Sequence, residues 1–262
     1  MQKREILDQM SQNENDRLLL GKIWDKYERC RVKNMPEHTA FLTPQEQELC
    51  RVLLRVIGGA EEYTFFGGYD GAERKQLHFL PDWADQPEQT ITALRCSWYA
   101  TEELTHRDLL GSLMGLGITR ESVGDILVDK AGHAADVLAT DTAAGFLLQE
   151  WHQAGRVKMQ VKPIDLHDLH IPQAAVREIH DTVASLRLDN MIGAGFSLSR
   201  GKAADAIESG KVQLNWQDVT KAGTAVTAGD VITVRGLGKC ELTAVGNPTK
   251  KGRYGVTIKR YI

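Results

Sequence analysis

Apolar residues recur every three or four positions through the first sixty residues of the chain. In "DRLLLGKIWDKYERCRVKN", Leu19, Ile23, Trp24 and Tyr27 fall on one side of a predicted helix, with charges between them. After a loop from Met35 to Phe41, "TPQEQELCRVLLRVIGG" predicts a further helix, capped by Thr43, with proline at its first position and Gly58 and Gly59 stopping it. The period is then lost. No clear strand leads into Gly67 and Gly68 of "YTFFGGYDGAERKQLHFLP", so this pair predicts a sharp connection packed by Phe65, Phe66 and Tyr69 rather than a phosphate cradle.

From residue 90 onward, strand and helix periods alternate. "ITALRCSWY", "SVGDILV", "ADVLAT" and "RVKMQVKPI" predict strands, "THRDLLGSLMGLG" a helix opened by Thr105, and "DTAAGFLLQEWHQAG" a helix capped by Asp141. The resulting βαββαβ order suits an antiparallel sheet with both helices on one face, as in ferredoxin-like and RNA-recognition (RRM) modules. Those RNA modules stack bases on aromatics of the third strand, and "ADVLAT" has none. That argues against RNA on this sheet.

Pro163 and Pro172 punctuate the following segment, and a short helix is expected before Arg187. "RLDNMIGAGF" then places Leu188, Ile192 and Gly195 on one helical face, with Gly193 and Gly195 expected to end the helix. Ser199 caps "RGKAADAIESG", and strands follow in "KVQLNW", "TAVTAGDVITVRG", "KCELTAVG" and "RYGVTIKRY". The expected fold class is α+β. Its parts are a mainly helical domain over 1–74, an RRM-like domain over 75–165, a linker or helix over 166–182, and two helices with a small sheet over 183–262.

Composition narrows the function. The chain has 262 residues, 42% of them hydrophobic, which is enough to bury a core. Cys30, Cys50, Cys96 and Cys240 lie far apart with no CxxC pair, so neither a disulfide framework nor a zinc site is signalled, and no cofactor is called for. Charges at Lys3, Arg4, Glu5 and Asp8 interrupt any signal-like run, and no stretch approaches the roughly 18 apolar residues that span a membrane. A cytoplasmic protein without a membrane partner is expected.

The formal net charge of -3 hides a strong asymmetry. Residues 75–182 carry 9 Lys+Arg against 16 Asp+Glu, whereas residues 183–262 carry 12 against 6. A basic segment of this kind attracts a polyanion, and the acidic middle suggests a protein contact or avoidance of RNA. Within the basic segment, Arg200 and Lys202 stand at a predicted helix amino terminus, whose unpaired N–H groups already favour a phosphate. Lys211 is expected one turn away.

Arg187, Leu188, Asp189, Ser199, Arg200, Ala203, Ile207, Gly210, Val212, Asn215, Val226, Gly229, Asp230 and Ile232 occur in the order and spacing of an S4 RNA-binding domain, which this region resembles. The resemblance implies contact with structured RNA through the two-helix surface by Arg187, Ser199, Arg200, Lys202 and Lys211. Asn215, Arg235 and the strand-loop lysines Lys239, Lys250 and Lys251 complete the expected set. S4 domains often have glycine after the asparagine, but Trp216 follows Asn215 here, so a differently built turn is expected. Trp216, Trp98 and Trp151 are expected to pack rather than stack on bases.

"VQLNW", "RGLGK", "FFGGYDGAERK" and "HRDLLGSLMGLGITRESVGDILV" extend the resemblance over nearly the whole chain, to the YlmH family of bacterial S4-domain proteins. That resemblance implies association with the large ribosomal subunit, a role in rescue of stalled ribosomes where peptidyl-tRNA is held, and links to cell division. A division-linked interaction scaffold is the competing expectation. Catalysis is disfavoured: "RLDNMIGAG" echoes a pseudouridine-synthase motif but lacks the Thr-Ser-Gly that should follow, and Asp189 is expected to cap or orient Arg200. "HRD" at His106 to Asp108 lacks the other kinase elements, and His167 and His170 lack further metal ligands.

Overall fold

The computed structural model describes residues 3–59, 63–99, 101–172, 175–249 and 252–262. They form two compact units, Met1–Pro172 and Gln173–Ile262.

The first unit begins with helices α1 (Lys3–Met10), α2 (Glu14–Lys33) and α3 (Pro44–Ile57), with the short strand β1 (Glu37–His38) between the last two. Thr43 and Glu46 close a reciprocal capping box on α3, and Gly58 ends that helix at φ 79°, a left-handed conformation cheapest for glycine. Strands β2 (Tyr63–Phe66) and β3 (Gln76–Phe79) complete a sheet of order β1-β3-β2. Leu20, Ile23 and Tyr27 of α2 pack with Leu53 and Leu54 of α3 and with Leu77 and Phe79 of β3. A boundary at residue 74 would therefore cut β3 away from the core it completes. Strand β2 also runs directly into Gly67, because its aromatics pack to both sides: Phe65 against the helices, Phe66 against the next sheet.

That next sheet is built from β4 (Ile91–Trp98), α4 (His106–Gly115), β5 (Val123–Asp129), β6 (Ala134–Thr140), α5 (Asp141–Glu150), β7 (Gln153–Ala154) and β8 (Val157–Ile164), with strand order β5-β6-β4-β8-β7. Thr105 caps α4 as predicted. The cap of α5 is Thr140 rather than Asp141: its hydroxyl accepts from the Ala143 N–H, and Asp141, now the first helical residue, accepts from the Thr92 hydroxyl at 2.6 Å. Strand alternation divides β4 between two cores. Leu94, Cys96 and Trp98 face α4 and α5 in a cluster that also holds Trp151, while Ile91 and Ala93 face the other way.

That second face is covered by the chain itself. Phe41, Phe66, Tyr69, Leu166 and Leu169 pack against Ile91, Ala93 and Leu138. Gly124 permits the approach of Phe41, since an added Cβ would lie 2.7 Å from a ring carbon. At its edge, Arg95 donates two 2.7 Å bonds to the carboxylate of Asp136, which also accepts from the His170 N–H at 2.7 Å. The face on which RNA-recognition modules stack bases is an interior here.

The second unit's first described strand is β9 (Val176–Val183), where a linker or helix is expected over 166–182; among the described residues of that stretch only Leu166–Asp168 makes a helical turn, a 3₁₀ one. β9 pairs along its length with β14 (Tyr254–Tyr261), setting Ile179 opposite the buried Ile258. Helices α6 (Leu188–Phe196) and α7 (Arg200–Glu208) follow, then β10 (Val212–Leu214), β11 (Gln217–Asp218), β12 (Val231–Val234) and β13 (Gly238–Pro248), in a sheet of order β11-β10-β12-β13-β14-β9. α6 runs through Gly193 and Gly195 and ends at Ser197, at φ 55°. Gly195 serves close packing instead: a Cβ there would sit 3.0 Å from the Cys240 sulfur. Leu188, Ile192, Ala203, Ile207, Val212, Ile232 and Ile258 bind the helix pair to the sheet.

Candidate nucleic-acid interface

The α6–α7 surface is organised by one buried carboxylate. Arg187, the residue before α6, donates from Nε at 3.1 Å and Nη2 at 3.0 Å to the two oxygens of Asp189, and Arg200 Nε, from the start of α7, reaches the same group at 3.3 Å. The Asp189 side chain is 3% exposed, against 40% for Arg187 and 71% for Arg200. Burial alone would push the Asp189 carboxyl up. The hydrogen bonds from Arg187 and Arg200, the charge of Arg187 and the Asn190 N–H outweigh it and hold the group below the ordinary carboxylate range. One anion thus orients two cations and leaves a net positive charge at the surface, with Asp189 in the orienting role expected of it.

The start of α7 reinforces that charge. The Ser199 hydroxyl accepts from the Lys202 N–H at 3.4 Å, so Ser199 is committed to capping. The first turn of α7 contains no acidic residue, and the exposed Arg200 and Lys202 stand where the helix dipole is already positive. The surface beside Gly201 is open. Holding two cations there disfavours the free helix slightly, and a phosphate would remove that cost.

The other expected residues separate. Lys211 follows the far end of α7, a helix of nine residues and hence about 13 Å long, so it does not lie one turn from Arg200. It joins Arg235 instead: the Arg235 N–H donates to the Lys211 carbonyl at 2.8 Å, and both side chains are exposed. Asn215 turns inward, donating from Nδ2 to Asp230 at 2.8 Å and accepting from the Val231 N–H at 2.9 Å. Lys239 stands over the Tyr261 ring, 4.7 Å from its centroid, on the sheet. Lys250 and Lys251 lie outside the described residues.

The turn after β10 differs from expectation. Asn215 and Trp216 have φ values of 50° and 62°, so both adopt the left-handed conformation that an Asn-Gly hairpin turn would use, with tryptophan in the glycine position. The Asn215 bonds to β12 hold the turn in that shape. Trp216 is half-buried, whereas Trp98 and Trp151 are buried in the first unit's core.

The buried Asp189 clamps Arg187, which precedes one short helix, and Arg200, which opens the next, beside a small antiparallel sheet, and the S4 domain family model matches residues 186–232. A second family model, described as "Putative RNA-binding domain in YlmH", matches residues 98–168. The chain is 36% identical over 228 residues to the "Ribosome-associated protein quality control protein P2" of Bacillus subtilis (strain 168), covering 85% of this chain and 86% of that one. The chain belongs to the YlmH family of S4-domain RNA-binding proteins. Among solved structures, "Cell division protein ylmH from Streptococcus pneumoniae" aligns with a TM-score of 0.48 and 22% identity, over 61% of this chain and 98% of that one.

Proposed function

We propose that this protein is a non-catalytic, cytoplasmic RNA-binding factor of the ribosome. Its second unit grips large-subunit rRNA, or tRNA held there, during quality control of stalled large subunits. The observation that carries this reading is the surplus positive charge around Asp189, where Arg187, Arg200 and the first turn of α7 form a pre-organised phosphate grip. Lys202 extends the grip along α7, and Lys211 with Arg235 forms a second cationic point beyond its far end. The name of the Bacillus subtilis relative supports the ribosomal setting. The acidic first unit, with 19 Lys+Arg against 27 Asp+Glu over residues 1–172, is suited to a protein contact or to repelling RNA from its outer surface.

Sedimentation of ribosomal particles tests the reading. Arg200→Glu should remove the protein from the large-subunit fraction while leaving it folded. A division scaffold for which RNA is incidental would keep its protein partner through that substitution and show no dependence on the particle. If about four phosphates are neutralised, log affinity for a structured RNA should fall against log salt with a slope of about -3. A slope near zero would remove the electrostatic account.

A further inference from the structure

The acidic first unit brings two arginine side chains together on backbone carbonyls rather than on a carboxylate. Arg74, 8% exposed, donates from Nε to the Val123 carbonyl at 2.9 Å and from Nη2 to the carbonyls of Phe41 and Arg120, both at 3.1 Å. Arg120 donates from Nη1 to the same Val123 carbonyl at 2.7 Å. Two guanidinium groups therefore converge on a single carbonyl oxygen, and among the described residues neither meets a carboxylate within 4 Å. Burial and the charge of Arg120 push Arg74 down to about 10, against the opposing pull of Glu46, Asp125 and Glu121. Burial likewise lowers Arg120.

Both arginines line a cavity of about 570 Å³ that Lys22 and Lys26 also line. Lys22 is exposed and forms no ion pair among the described residues, while Lys26 is paired with Glu37 at 3.0 Å. Two carboxylates share the lining. Glu46 is engaged in the α3 capping box, and Glu121 is exposed. The remaining wall includes Leu19 and Phe41. The volume falls in the range of small-molecule sites, well above what a lone inorganic anion fills, and combines a cationic end with apolar wall. Arginine forks without a carboxylate suit a phosphate, and an apolar wall suits a base and sugar.

We infer that this cavity binds a nucleoside phosphate, either a free nucleotide or one nucleotide of an RNA chain, with its phosphate on Arg74, Arg120 and Lys22. The covered sheet supports the assignment. Residues 98–168 match a model described as RNA-binding, yet the face that would stack bases is occupied by Phe41, Phe66, Tyr69, Leu166 and Leu169. Arg120 gives the same region a different place to meet a nucleotide.

Calorimetric titration of the full chain with 5′-AMP, inorganic phosphate and a 5′-phosphorylated single-stranded tetraribonucleotide tests the inference. At least one nucleotide probe should bind about tenfold more tightly than inorganic phosphate. Lys22→Glu and Arg120→Gln should each weaken it by about tenfold, the scale of one charge-assisted bond. Lys22 is exposed on α2, so its variant reads binding even if Arg120→Gln loosens the fold. Tighter binding of 5′-AMP identifies a free nucleotide as the source, and tighter binding of the tetranucleotide identifies an RNA chain. Repeating the better probe on Arg200→Glu separates this site from the S4 surface, since affinity equal to wild type places the probe in the first unit. The inference is overturned if neither nucleotide binds at about 10 mM, if inorganic phosphate binds as tightly, if Lys22→Glu has no effect, or if Arg200→Glu abolishes binding.

Discussion

Each unit buries a carboxylate beneath arginine, but in different proportion. Asp136 meets one guanidinium in a bidentate pair, with the Asp168 carbonyl and the His170 N–H completing the set. Its charge is matched, the arginine is only 29% exposed, and the cluster fixes a chain segment across the back of a sheet. Asp189 meets two guanidiniums, one of them 71% exposed, so the same chemistry leaves a cation facing solvent. Charge stoichiometry around a buried acid thus separates a matched structural clasp from the surplus-positive surface proposed to meet RNA. Arg74 and Arg120 carry the series one step further, since among the described residues their side-chain hydrogen bonds all go to carbonyl oxygens.

The comparison can be broken most forcefully at Asp136. Asp136→Ala should cost the first unit about 3–5 kcal/mol in denaturant unfolding, because Arg95 and the His170 N–H lose a buried partner. Asp189→Ala should cost the second unit less, about 2 kcal/mol, since its arginines can turn to water. A loss at Asp189 as large as that at Asp136 would contradict the distinction.

RNA affinity should show the reverse order. Arg200→Glu is expected to weaken RNA binding about thirtyfold, or about 2 kcal/mol, whereas Arg95→Gln should leave RNA affinity within about twofold in the fraction that remains folded. Equal losses from the two substitutions would mean that stoichiometry does not mark the site.

Titration sharpens the same contrast. Folding lowers the Asp189 pKa, so its contribution to stability is complete above the ordinary carboxylate value of about 3.9 and is lost as pH falls through the lower folded value. The stability difference between wild type and Asp189→Asn should therefore be flat near neutrality and shrink below about pH 4. The smallest expected effect is at Asn215. Asn215→Ala should cost about 1 kcal/mol through the lost bonds to Asp230 and Val231 while leaving the salt dependence of RNA binding unchanged. A loss of RNA affinity larger than about twofold in that variant would assign Asn215 a direct RNA contact.

Much of this architecture is legible locally. Thr43, Thr105 and Ser199 cap the helices they precede, because a cap needs only its own side chain and an N–H three residues on. The βαββαβ order and the placement of Asp189 beside Arg200 are equally readable. Errors arise where a local signal competes with a distant one. Gly193 and Gly195 read as a helix stop, but α6 continues because Gly195 must let Cys240 approach. Residues 166–182 read as a linker or helix, yet Val176–Val183 becomes a strand once β14 supplies a pairing edge. Trp216 reads as incompatible with a positive-φ turn, and Asn215 bonds to β12 hold it there.

By itself the sequence determined the capped helices, the strands of the βαββαβ order, the basic character of residues 183–262 and the arginine-bearing helix pair, since hydrophobic period, caps and charge are properties of neighbouring residues. Only tertiary structure decided which cations act together. It separated Lys211 from Arg200 by the length of α7, turned Asn215 toward β12, sealed one face of the five-stranded sheet, and brought Arg74 and Arg120 to one carbonyl oxygen. The physical reason is that electrostatic grouping depends on distance and burial, and residues 46 positions apart acquire both only when strands and helices pack.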